Sequence, residues 1–143
     1  MKEIPIFFFK EAVDFRLLKR KEIVIWLNSV LKNDGCRPAN INFIFCKDSY
    51  LRQINKKHLN HDYFTDIITF DNSFVTNEIE GDIFISIDRV KANAKLYAVS
   101  FYDELHRVMV HGILHLLDYS DKNKKAKAEM RLQEDYWLKK RKF

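Results

Sequence analysis

The segment Ser100–Leu117 constrains the fold of this chain more than any other. Ser100-Phe101-Tyr102-Asp103 has the form of a capping-box variant. Beyond it Leu105, Val108, Met109, Val110, Ile113, Leu114, Leu116 and Leu117 point in most directions around a helical wheel. A helix that is apolar nearly all round needs other elements on several sides, so it belongs at the centre of a layered structure. Two of the polar residues that interrupt it are the histidines of His111-Gly112-Ile113-Leu114-His115.

The flanking sequence supplies those layers. Residues 4–9, 41–45, 65–70 and 81–87 are short runs rich in Ile, Phe and Thr and read as strands. Leu18, Ile23, Leu27, Val30 and Leu31 recur at helical spacing over about 18–32, and Asn33-Asp34-Gly35 stops that helix. Asp48 or Ser49 is expected to cap a helix through about His58, and Asp88 the helix after the fourth strand. A last helix spans about 123–140. Polar loops at Asn60–Phe64 and around 72–79 join the pieces. The expected fold is α+β (α/β layered): about four strands in a mixed sheet packed with about five helices, as one domain over 1–143.

Composition excludes several classes. With 47% apolar and 31% charged residues the chain is neither disordered nor, with 3 Gly and 2 Pro, collagen-like. No apolar run reaches the length of a membrane span, and Ile4–Phe9 is too short for a signal-peptide core. Cys36 and Cys46 stand apart without a framework spacing, which points to a reducing, cytoplasmic setting. The net charge of +5 is unevenly placed. Residues 122–143 hold nine Lys/Arg against three acids, whereas the preceding residues hold 16 against 17. A basic end of this kind suits a polyanion such as nucleic acid, or is simply a solvated helix face.

The chemistry is concentrated at the end of the central helix. His111 and His115 are four residues apart, about 40° on the wheel, so both rings reach one point in space. Asp121 follows six residues later, giving H-x3-H-x5-D. For it to return to the rings the helix must end first, and Asp118-Tyr119-Ser120 offers the exit because Asp tolerates a left-handed backbone. A histidine pair on an apolar helix is more often two satisfied buried side chains than a metal site. The carboxylate at a third ligand position tips the balance, since a catalytic zinc site needs three ligands and one open position. His106 falls on another face and reads as structural, and Glu104 as a first-turn acid favoured by the helix dipole. The spacing is similar to that of extended H-E-x-x-H metalloproteases. Position 112 is Gly, however, so the general-base Glu of that class is missing, and the small residue leaves room for a bulky substrate near the ion.

Read as H-G-x-L-H-L-x-G-Y-x-H, the run His111–Asp121 resembles the YbeY family of bacterial rRNA maturation factors. Thr65-Asp66-Ile67-Ile68-Thr69-Phe70 resembles the family's T-D-V-L-S-F, and Gly81-Asp82-Ile83-Phe84-Ile85-Ser86 its G-D-I-x-I-S. Ile54-Asn55 followed by Asp62 resembles its L-N…D run. The resemblance implies a metal-dependent endoribonuclease that cuts single-stranded RNA in rRNA maturation and ribosome quality control, with rRNA and the ribosome as partners. It implies one zinc ion on His111, His115 and the third position, with no side-chain base assigned. Three positions depart from the family: Asp121 replaces the third histidine, Asp118 the second glycine, and Leu59 an arginine implicated in activity, for which Lys56 or Lys57 is a candidate substitute. A carboxylate ligand weakens the Lewis acidity of the ion and suits harder metals, so manganese or another divalent ion is an alternative. Asp66 and Asp82 are candidates for orienting the histidines, or are ordinary strand-end aspartates. Two other functions use the same residues. One is a metallohydrolase of peptides or small molecules; the other is a non-catalytic ribosome-assembly factor with a structural metal.

Overall fold

The computed structural model describes residues 3–61 and 63–143, so Asp62 of the resemblance lies outside the described residues. Nine elements follow one another: β1 (Ile6–Glu11), α1 (Arg20–Asn33), β2 (Arg37–Cys46), α2 (Asp48–Leu59), β3 (Ile67–Asp71), β4 (Glu78–Ser86), α3 (Ile87–Leu96), α4 (Phe101–Leu116) and α5 (Lys124–Lys139). The sheet order is β1-β2-β4-β3. β1, β2 and β4 run parallel, and β3 pairs antiparallel with β4. The mixed four-strand sheet with five helices is the α+β arrangement expected from the sequence. Among the described residues no helix is long and apolar enough to cross a membrane.

One face of the sheet carries alternate residues Ile41, Phe43 and Phe45 of β2 and Ile79, Ile83 and Ile85 of β4, all buried. On them lies α4, which also meets α1, α3 and α5. Ten of its sixteen residues are buried. The nearly all-round apolar pattern is thus satisfied by sheet on one side and helices on the others. A stripe at four-residue steps (Asp103, Arg107, His111, His115) escapes full burial and forms the polar seam of the helix.

α5 is fixed beside that seam by polar ties. Trp26 Nε1 donates to the Trp137 carbonyl at 2.8 Å. Arg141 contacts His106 Nδ1 at 2.7 Å and donates to Asp103 at 2.9 Å. Those ties bring residues more than twenty positions apart into one site.

Three local expectations are corrected. Neither Asp48 nor Ser49 caps α2: the N-cap is Lys47, without a side-chain hydrogen bond. Ser86, not Asp88, caps α3 by accepting from the Arg89 amide. Asp88 instead accepts from the Asp48 amide at 2.9 Å, and Asp48 binds Arg89 at 2.7 Å, so the two helix starts satisfy each other. The third correction concerns Gly112. A Cβ there would stand 2.9 Å from Ile83 Cγ2 and 3.0 Å from Ile67 Cδ1. The missing side chain makes room for the sheet, not for a substrate, and it lets α4 lie close on β3 and β4. Gly112→Ala is expected to lower unfolding free energy by about 1–3 kcal/mol through overpacking, measured by urea titration. Unchanged stability would mean that the helix and sheet separate freely.

Candidate metal centre

The end of α4 sets the geometry. Leu117 is the C-cap, and Asp118 adopts a left-handed backbone at φ 69°. The Asp118 amide donates to the His115 carbonyl at 3.0 Å and the Tyr119 amide to the Leu114 carbonyl at 3.0 Å. That pair of bonds is a Schellman motif, with Asp where Gly is usual. The chain reverses there, and Asp121 comes back toward the helix before Asn123 caps α5.

Asp121 Oδ2 lies 3.5 Å from His111 Nε2 and 3.2 Å from His115 Nε2. One ligand atom from each of the three residues lies within 4.8 Å of the other two. A tetrahedral ion with bonds of about 2.0–2.1 Å keeps its ligand atoms roughly 3.3 Å apart. The two measured separations bracket that value, so this donor set fits a single divalent cation. Each of the three side chains is half-buried. Access from solvent remains for a further ligand.

Behind His111 stands a residue the sequence reading missed. Glu134 of α5, buried, has Oε2 2.6 Å from His111 Nδ1. Its Oε1 accepts from Arg107 at 2.9 Å, and Arg107 donates also to Asp135 at 2.7 Å. A carboxylate on Nδ1 fixes the ring and its tautomer, leaving Nε2 to point at Asp121. Arg107 is the half-buried partner of Glu134 and fixes the carboxyl beside the His111 ring.

Burial by itself pushes His111 down, but the Glu134 hydrogen bond and charge, with Asp121 and Asp66, lift it above the ordinary histidine value. His115 is lowered, by burial first and then by the neighbouring His111, against the pull of Asp121. An ion binds only to imidazole nitrogens free of a proton, so the raised His111 sets proton and cation in competition at this site. Replacing the carboxylate by Glu134→Gln is expected to weaken divalent-ion binding about 10- to 100-fold while the chain stays folded. Titration calorimetry with zinc and manganese, beside circular dichroism, checks this; equal affinity would remove Glu134 from the site.

The other residues singled out in the sequence divide. Asp66 lies in the field of His111, and burial raises its pKa. Asp82 is elsewhere, accepting from Asn42 at 3.0 Å on the sheet, and does not orient either ring. Glu104 is the first-turn acid expected, but it is buried, and burial raises its pKa. His106 packs between Trp26, Tyr102 and Phe143, a structural side chain as expected. Leu59 is exposed. Two of the three acids in the basic end, Glu134 and Asp135, turn inward to Arg107, while Lys124, Lys125, Lys127, Arg131, Lys139 and Lys140 face solvent. Acids standing in an otherwise basic helix were the one sequence signal for Glu134.

Comparison with known proteins gives the family of the chain and the kind of its fold. A family model described as Endoribonuclease YbeY matches residues 10–142. A Cytophaga hutchinsonii protein named Endoribonuclease YbeY is 56% identical over 143 residues, covering 100% of both chains. A Flavobacterium psychrophilum protein of the same name is 44% identical over 131 residues, 92% of this chain and 93% of its own. In fold the chain is similar to the solution structure of TM1509 from Thermotoga maritima. The TM-score is 0.65 at 23% identity, over 94% of this chain and 87% of the other.

Proposed function

The chain belongs to the YbeY family, and on that premise we propose that it is a metal-dependent endoribonuclease cutting single-stranded RNA in rRNA maturation and ribosome quality control. Its whole length, 1–143, would serve as one metallohydrolase domain at work in the cytoplasm. The family relatives, named Endoribonuclease YbeY, support action on RNA. The observation that carries the metal is the convergence of His111, His115 and Asp121 on one point with Glu134 fixing the first ring.

In this proposal the three side chains hold one zinc ion, and the Asp121 carboxylate makes manganese the alternative. When bound, such an ion supplies Lewis acidity to a phosphoryl oxygen and a lowered pKa for water. The protein does the rest. Glu134 holds the Nδ1 proton of His111, so that ring offers Nε2 outward. Arg107 donates to the other oxygen of Glu134 and holds that carboxyl in place. No side-chain general base stands in the role of the metalloprotease Glu, because position 112 faces Ile83 and Ile67 in the sheet. A carboxylate there would be buried in the core, which counts against a peptidase. The exposed lysines of α5 supply counter-charge for phosphates.

The test pairs metal analysis with cleavage. One ion per chain is expected, with cutting of single-stranded RNA but not of the matching duplex, loss on chelation, and recovery with zinc or manganese. Cutting of a 2′-deoxy substrate would exclude the 2′-oxygen as obligatory nucleophile. Metal-loaded protein that leaves single-stranded RNA whole, or that cuts a peptide instead, would overturn the proposal.

A further inference from the structure

β1 is an edge strand, and among the described residues no strand pairs with its outer side. Its middle is Phe7-Phe8-Phe9, and its two charges, Lys10 and Glu11, stand only at the end. A groove of about 590 Å³ runs between this edge and α1, with Ile4, Phe7, Phe9, Val24 and Ile25 among its walls. Phe9 is 53% and Ile25 64% exposed. Open edges of soluble sheets carry a charge, a bulge or a cover, and an aromatic edge without one is a pairing surface.

The outward backbone groups set a register. The Ile41 amide donates to the Pro5 carbonyl at 3.0 Å, so Pro5, Phe7 and Phe9 turn their backbone groups to β2, and Pro5 does not blunt the open side. Ile6, Phe8 and Lys10 turn theirs outward. The Ile6 amide is taken by the Ile4 carbonyl at 2.8 Å, which leaves the Ile6 carbonyl and both groups of Phe8 and Lys10. Two such edges match when laid antiparallel about Phe8. Each Phe8 exchanges both bonds with its counterpart, and each Lys10 amide meets the other copy's Ile6 carbonyl. Phe8 lies on the α4 side of the sheet, its ring centroid 5.7 Å from that of Phe43. On the opposite side each Phe7 stands across from the other copy's Phe9, a favourable aromatic pair.

Charge is complementary in the same arrangement. A second hollow of about 390 Å³ shares Phe8, Phe9 and Arg20 with the groove and adds Lys10 and Arg16. None of these three cations meets a carboxylate side chain among the described residues, and Glu11 is the one acid of β1 at that end. Glu3, exposed and likewise without an ion pair among the described residues, lines the groove at the other end of the strand. A two-fold axis at Phe8 brings the Glu3 end of each copy to the cationic end of the other. We infer that two copies of this chain pair through β1 into one continuous sheet, an isologous dimer. β3 is the opposite edge, so the metal centre, beside β3 and β4, stays outside the interface.

Sedimentation of the full chain over about 2–200 μM tests the pairing, with amide hydrogen exchange at both ends of that range. A monomer–dimer equilibrium is expected, with the Phe8 and Lys10 amides slower to exchange at the higher concentration. Phe9→Lys is expected to weaken association at least about tenfold while the monomer keeps its circular dichroism. Glu3→Lys weakens it as well, and adding Lys10→Glu to that variant restores it. Should Phe9→Lys fail to fold, Glu3→Lys and its reversal decide alone. A monomer throughout, which would hand the edge to a different chain, overturns the inference. So does assembly beyond a dimer, or a dimer that these substitutions leave unchanged.

Discussion

His111→Ala and His115→Ala are each expected to lower the rate of single-strand RNA cleavage by roughly 10²–10⁴-fold and to reduce bound metal below one ion per chain. The size follows from what is lost. A Lewis-acid contribution of several kcal/mol to the transition state translates to about tenfold per 1.36 kcal/mol. The two variants should fail alike, because His111 and His115 present their Nε2 atoms to the same Asp121 oxygen, at 3.5 and 3.2 Å. Neither should unfold the protein, since both rings lie on the half-exposed seam of α4 and not on its sheet-facing side. Metal analysis and steady-state cleavage on the same preparations decide the matter. Wild-type rates in either variant would show that this cluster is not the reacting site.

Acid weakens the fold through His106, a histidine outside the site. It is 5% exposed, its Nδ1 faces Arg141 at 2.7 Å, and its Nε2 meets no hydrogen-bond partner among the described residues. Burial, with the Arg141 charge adding to it, drives its pKa from 6.5 to about 4. A base depressed in the folded state binds more protons when unfolded. Its contribution is therefore complete above about 6.5 and is lost as pH falls toward 4. The loss is on the order of 3 kcal/mol. Protonation would also set two cations against each other and loosen the Arg141 tie that docks α5. Urea unfolding of metal-free wild type and His106→Phe at several pH values between 7 and 4 isolates the effect. The difference in stability between the two should shrink or reverse toward pH 4; a constant difference would show that His106 does not titrate in that window.

The elements were legible in the sequence wherever the controlling forces act within a few residues. Leu18 to Leu31 at helical spacing, stopped by Asn33-Asp34-Gly35, gives α1. The i, i+4 histidines follow from helix geometry alone, and the left-handed Asp118 follows from the tolerance of Asp for that conformation. The end of α4 therefore puts His111, His115 and Asp121 together without help from distant parts of the chain.

What failed has a common cause. A helix apolar on nearly every side has no hydrophobic phase, so nothing in its pattern tells which residue faces the sheet, and Gly112 was assigned to a substrate when it belongs to Ile83 and Ile67. The caps of α2 and α3 depend on the two helices starting side by side, where Asp88 reaches the Asp48 amide and Asp48 reaches Arg89. Glu134 lies 23 residues beyond His111. Its role exists only because Trp26 and Arg141 fasten α5 along the seam of α4.

The amino-acid order by itself determined the strands, the helices and a three-ligand cluster, because hydrophobic period, capping and turn preference are short-range. The tertiary structure alone decided which carboxylate steadies His111 and which way Gly112 faces, because those depend on how separate elements pack, and packing is settled by contacts that no local period encodes.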